Sequence, residues 1–226
     1  QGGYDFQQAR GEQLRPMFLS DAAYRACEYM LDILKYSPPN ILSMSWYERA
    51  QSYASGETSM AYCYTLLAPL FELNRHSPAY GNTRYLPHPV GNHGRAITPI
   101  GGYALAIPAN LAPERVEAVW TALRHLTSAN MSKLYIMNGS LVTPRFSVSQ
   151  DPEVSALSPL IKIVDDMAQK DILQAWPRPP VPGITDLISI AGNEIFEVLD
   201  GRRSIKKALS IAQERADKVM RAKGHY

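Results

Sequence analysis

Tyr62, Tyr64 and Tyr103 place aromatic rings near the ends of strand-like runs, while Asn138 and Arg145 offer planar hydrogen-bonding groups in loop-like sequence. That combination suits a sugar, whose C–H faces pack on rings and whose hydroxyls need amide or guanidinium partners. On composition alone, the same tyrosines read better as core or ordinary surface residues than as ligand contacts. The adjacent Gly101 and Gly102 give up side chains that a strand would otherwise bury. Either the backbone there takes unusual torsions or admits close approach by a ligand, or the pair is only a bulge or bend.

Groups suited to catalysis are sparse. Asp165 and Asp166 are neighbours on a helical pattern, so their carboxylates diverge and are read as a solvated face rather than a pair acting on one bond. His88 and His93 share a Pro/Gly-rich turn without a carboxylate or cysteine at ligand spacing, so no metal is assigned. Ser140 and Cys63 have no identifiable base partner, and no nucleophile elbow, zinc helix, phosphate loop or dinucleotide fingerprint occurs. No catalytic residue and no cofactor follows from the sequence.

The elements that must carry these groups read as helix-heavy with three or four separated strands. Ser20 and Asp21 open a helix with Tyr24, Cys27, Met30, Leu31 and Leu34 on a core face, stopped at Ser37-Pro38-Pro39. Ser45 and Glu48 have capping-box spacing and start a short helix running to Gly56. Thr58 to Tyr64 reads as a strand, Leu66 to Leu73 as a helix, and Arg84 to Leu86 as a short strand among turns. The stretch from Arg95 to Asn110 follows as a strand, with Tyr103, Leu105 and Ile107 alternating along it. Asn110 and Pro113 then start a helix bearing Val116, Val119, Trp120, Leu123 and Leu126. A weaker helical pattern from Met131 to Met137 closes at Asn138-Gly139. Asp151 and Pro152 start a helix that turns Val154, Leu157, Leu160, Ile161, Val164 and Met167 inward. The prolines of Trp176 to Pro182 make a stiff connector. Two helices finish the chain, Thr185 to Leu199, closed by Gly201, and Ser204 to about Ala222, with Ala208, Leu209, Ala212, Ala216 and Val219 in one stripe.

The 226 residues are enough to bury a substantial core, and a composition of 46% hydrophobic and 19% charged residues is ordinary for a globular chain. A formal charge of +2 without a dense basic face gives no sign of nucleic-acid binding. No apolar run reaches the ~18 residues of a membrane-spanning helix. Cys27 and Cys63 can pair or stay free, and their spacing signals neither metal nor redox chemistry.

Three segments carry a resemblance. W-Y-E-R-A-Q-S-Y-A-S-G-E-T-S-M-A-Y runs from Trp46 to Tyr62, and G-G-Y-A-L-A-I-P-A-N from Gly101 to Asn110 leads into A-V-W-T-A-L-R-H-L-T-S. G-R-R-S-I-K-K-A-L-S-I-A-Q-E-R-A spans Gly201 to Ala216. In order and separation they resemble the extracellular solute-binding proteins of ABC importers, in the sugar-binding group that includes the maltose-binding proteins. Each motif is degenerate alone, and the three together span nearly the whole chain.

The resemblance implies an α/β, periplasmic-binding-protein-like fold of type II, with two hinge-linked lobes closing over solute in a cleft. It assigns 1–97 to the second lobe, 98–150 to a hinge strand plus part of the first lobe, and 151–226 to the second lobe's C-terminal helices. The family's long first segment has no counterpart before Gln1, so the resemblance implies a fragment: mostly the second lobe with a piece of the first. Such a fragment is expected to bind solute weakly by itself. The implied ligand residues are Tyr64, matching an aromatic after the Ala-Met strand, and Gly101, Gly102 and Tyr103. Asn138 and Arg145 join them on loop position and donor chemistry. The implied partners are a small-molecule carbohydrate and ABC-transporter permease subunits, with the membrane touched only through the permease. The implied location is bacterial, periplasmic or extracellular, and no enzyme activity is implied. The alternatives are a carbohydrate-active enzyme fragment, a binding protein for a non-sugar polar solute, or a pure interaction domain.

Overall fold

A computed structural model describes residues 6, 14–90, 96–102, 104–175 and 181–226. By backbone contacts the chain divides into two compact units. The first comprises Gln1–Met44, Val90–Arg95 and Trp176–Tyr226; the second comprises Ser45–Pro89 and Ala96–Ala175.

The first unit is built on three helices: α1 (Asp21–Leu34), α9 (Ile184–Leu199) and α10 (Ile205–Ala222). Ser20 and Ser204 cap α1 and α10 by accepting the backbone N–H groups of Ala23 and Lys207, which a helix start otherwise leaves unpaired. Ala208, Ala212 and Ala216 are at most 1% exposed, so small side chains permit close packing of α10 on α9, with α1 against both. The final helices and the α10 stripe match the sequence expectation. The α1 face does not, since of its five apolar residues only Cys27 is buried, while Tyr24 and Met30 are exposed. Cys27 and Cys63 are both free thiols. The proline-rich connector falls at residues 176–180, outside the described residues, apart from its last two, of which Val181 is buried.

The second unit carries α2 (Trp46–Ala54), α3 (Pro69–Glu72), β1 (Thr98–Ile100), α4 (Pro113–Leu126), α5 (Ala129–Tyr135), α6 (Phe146–Ser149), α7 (Pro152–Ser155), α8 (Pro159–Gln169) and β2 (Leu173–Ala175). The capping box of α2 forms as expected, with Ser45 and Glu48 satisfying each other's backbone donors. Its core joins Ala68, Phe71, Ala79, Leu141 and Leu160, and a second cluster joins Ile136, Val148, Val154 and Ile161.

Several sequence expectations need correction here. Thr58 to Tyr64 and Arg84 to Leu86 form no ladder; strand propensity expresses itself only where a partner edge is present. The strand expected over Arg95 to Asn110 is confined, among the described residues, to Thr98–Ile100, which pairs in parallel with Leu173–Ala175, in register Thr98 to Leu173. The second strand is a three-residue run with no periodic signature. Asn110 lies in a turn closed from Leu111 N–H to the Pro108 carbonyl, and α4 starts at Pro113 without a side-chain cap. No residue of α4 is buried, Trp120 included. The helix expected from Asp151 breaks into α7 and α8, because Ser158 takes an extended conformation and caps a new helix at Pro159. Its inward residues are as expected, but Asp165 is half-buried and accepts a 2.7 Å hydrogen bond from the buried Ser149 hydroxyl.

Candidate functional site

The residues singled out by their chemistry that fall among the described ones all lie in the second unit. Tyr64 is extended, at φ −72° and ψ 140°, just before the turn Thr65–Leu67. Its ring meets Trp46 edge to face, with centroids 6.0 Å apart and planes at 78°. Trp46 is the first residue of α2, so the Ser45–Glu48 box fixes its backbone, and Tyr47 braces its ring at 6.1 Å. Tyr64 remains 56% exposed and Trp46 46%. Two large rings, mutually held and open to solvent, form a platform that loses little conformational freedom on receiving a ligand.

Tyr62, two residues earlier, bonds through its hydroxyl to His88 Nδ1 at 2.8 Å, with ring centroids 4.6 Å apart. The His88 backbone N–H donates to Thr98 Oγ1 at the start of β1, the strand that runs into Gly101. Burial pushes the His88 imidazole below its ordinary pKa, partly opposed by a bond to the Ile97 backbone. Among the described residues no three His, Cys, Asp or Glu side chains gather as metal ligands. Burial pushes the Cys63 thiol above its ordinary pKa, only partly countered by Arg49, which leaves little thiolate for nucleophilic work.

Gly101 and Gly102 sit past the end of β1 and are exposed. Neither has a positive φ, and a Cβ on either would meet nothing within 4 Å. No left-handed torsion calls for glycine at either position, and a simple bend and ligand approach to bare backbone are the readings that stay open. Gly101→Ala and Gly102→Ala are each expected to leave the melting temperature within about 2 °C of wild type, because alanine fits the backbone and restricts the unfolded chain slightly. Differential scanning fluorimetry checks this, and a loss of solute affinity in the same variants would then report close approach by ligand. Tyr103 lies outside the described residues.

Asn138 and Arg145 already use donors within the chain. Asn138 Nδ2 donates to the Leu134 carbonyl at 2.8 Å inside the wide helical turn Ile136–Ser140 that ends α5. Arg145 Nε and Nη2 both donate to the Thr127 carbonyl, at 3.0 and 2.6 Å, at the C-terminal cap of α4. A cation there satisfies an orphan carbonyl and complements the helix dipole. The structure thus joins Tyr64 to Trp46 and Tyr62 to His88. Trp46 and His88 were not among the expected ligand residues. Trp46 has a local signal, being an aromatic directly after a capping serine, whereas the 26-residue spacing of Tyr62 and His88 gives none.

No protein-family model matches the chain. Solved structures do. The maltose-bound T. maritima MalE3 superposes with a TM-score of 0.78 at 20% identity, over 96% of this chain and 54% of its own. An ABC-transporter solute-binding protein from Agrobacterium radiobacter K84, in complex with ribitol, gives 0.82 at 24% identity, over 96% and 53%. One from Agrobacterium vitis S4 with bound D-mannitol gives 0.75 at 20%, over 99% and 56%. The chain spans about half the length of these neighbours. Its fold is that of the periplasmic-binding-protein-like solute-binding proteins, as the motif order implied. No helix among the described residues is long and apolar enough to cross a membrane.

Proposed function

We propose that this chain serves as the substrate-binding component of an ABC importer, capturing a carbohydrate or related polyol and delivering it to a membrane permease. It works without catalysis, in a periplasmic or extracellular compartment. The observation that carries the reading is a fold shared with three proteins solved with maltose, ribitol and D-mannitol. Supporting it is the exposed, braced Tyr64–Trp46 ring pair, which offers a stacking surface for C–H faces. Gly101 and Gly102 supply bare backbone past β1, and Tyr103 adds a further ring in sequence. Asn138 and Arg145 are the outlying members of this set, because reaching a solute costs them an internal hydrogen bond.

The test is a thermal-shift and calorimetry panel of maltose, ribitol, D-mannitol and common monosaccharides, on this chain and on the full-length gene product. Ligand at 100 times its Kd stabilises the native state by about 2.7 kcal/mol, a readily visible rise in melting temperature. Tyr64→Ala is expected to weaken binding about tenfold, the equivalent of one lost ring contact. No shift with any of these solutes in either protein would sink the proposal.

A further inference from the structure

α4 carries the same helical period of apolar residues as α10, yet only the stripe of α10 is covered. Val116, Val119, Trp120, Leu123 and Leu126 recur at steps of three and four and so share one face of α4. Glu114, Glu117 and Arg124 fall on the opposite side. In α10 the corresponding residues are buried, and the helix packs on α9 and α1. In α4 no residue is buried, and Val116, Trp120 and Leu126 are 40%, 51% and 43% exposed. A helix of 14 residues is marginal by propensity alone and takes most of its stability from packing its apolar face. This one also starts without a side-chain cap, while the Arg145 bonds to the Thr127 carbonyl fasten its C-terminal end. A contiguous apolar face of this kind marks a docking surface.

Size decides between the possible covers. The stripe is about 15 Å long and about 10 Å wide, well below the ~800 Å² per partner that a stable association buries. A free partner, or a second copy of this chain, would be held only weakly by it. A segment of the same polypeptide needs no such area, because tethering supplies an effective concentration on the order of millimolar. Each of the three solved neighbours matches nearly all of this chain and carries about as much chain again. We propose that the α4 stripe is an intramolecular docking face, covered in the full-length gene product by an apolar face of polypeptide outside these 226 residues. The cover is uncharged opposite Trp120, since a charge buried there without a partner would cost more than the packing contributes. The shared fold and the bare stripe carry this, and it holds whether or not a solute binds.

The test is thermal unfolding and amide hydrogen exchange on the full-length gene product, as wild type, Trp120→Asp, Trp120→Phe and Tyr36→Asp. Tyr36 is 89% exposed and reports what a new charge does on open surface. Trp120→Asp is expected to lower the melting temperature by about 5 °C or more, Trp120→Phe by less than half as much, and Tyr36→Asp by no more than about 2 °C. In wild type the amides of α4 are expected to exchange as slowly as those of α10, whose stripe is buried. That measurement needs no variant, so it decides even where Trp120→Asp does not fold. If Trp120→Asp is as neutral as Tyr36→Asp, or α4 exchanges by local opening far faster than α10, the docking face is overturned. It is equally overturned if the gene encodes no chain beyond these residues, or if the protein sediments as a dimer that Trp120→Asp separates, which would make a second copy the occupant.

Discussion

Leu141→Ala is expected to lower the stability of the second unit by about 3 kcal/mol, within the range for deleting a large aliphatic side chain from a closed core. Leu141 is 0% exposed and packs with Ala68, Phe71, Ala79 and Leu160. It also has a left-handed backbone, φ +55° and ψ 2°, directly after the turn that ends α5. For a residue with a Cβ that conformation costs roughly 1–2 kcal/mol, so burial of the side chain must outweigh the strain. The two effects separate on going to glycine. Leu141→Gly loses the same contacts but relieves the strain, so it is expected to be no less stable than Leu141→Ala. At Leu160, inside α8, glycine should instead be about 1 kcal/mol worse than alanine. Urea unfolding of the four variants with unchanged m-values decides the matter. If glycine is worse than alanine by the same margin at both sites, Leu141 stores no strain. The side chain is structural, yet it anchors the segment that carries Asn138 and Arg145.

What the sequence reveals about this fold follows the range over which each signal acts. The helix starts at Ser20, Ser45 and Ser204 were legible because a cap and the groups it satisfies lie within four residues. The α10 stripe was legible because its period lies within one element. The strands were not. Leu173–Ala175 owes its existence to Thr98–Ile100, 75 residues away by register, and Thr58 to Tyr64 forms no ladder among the described residues despite its aromatic content. The candidate site divides in the same way. Tyr64 was legible as an aromatic in its motif and is an exposed ring held against Trp46, whereas the pairing of Tyr62 with His88 spans a turn-rich stretch and could not be read in advance. Asn138 and Arg145 read in the sequence as loop donors. Each lies near the end of a helix, where unpaired carbonyls take up nearby donors first.

In the first unit a large loss from a polar side chain is expected at Glu194. Its side chain is 6% exposed and receives Arg215 Nη1 at 3.0 Å on one oxygen and Arg203 Nη1 on the other. These bonds tie α9 to the turn that precedes α10 and to the middle of α10, across Gly201, where φ is +73°. Around them, Arg202 bridges Glu197 and Asp200, each at 2.8 Å, and its guanidinium lies 5.6 Å from the Phe196 ring centroid. Breaking a wholly buried pair costs about 3–5 kcal/mol, chiefly through the charge left unpaired. Here the arginines left behind are 28% and 47% exposed and can turn to water. Glu194→Ala is therefore expected to cost about 2 kcal/mol, the loss of two charge-assisted bonds and a small cavity. The same reasoning ranks the partners. Arg203 is the more buried, so the Glu194–Arg203 coupling in a double-mutant cycle should exceed the Glu194–Arg215 coupling. Replacing Glu194, Arg203 and Arg215 together by apolar residues of similar volume should recover much of the loss, because no desolvated charge remains. A coupling to Arg215 equal to or larger than that to Arg203 would show that direct geometry, rather than burial, sets the strength of the clamp.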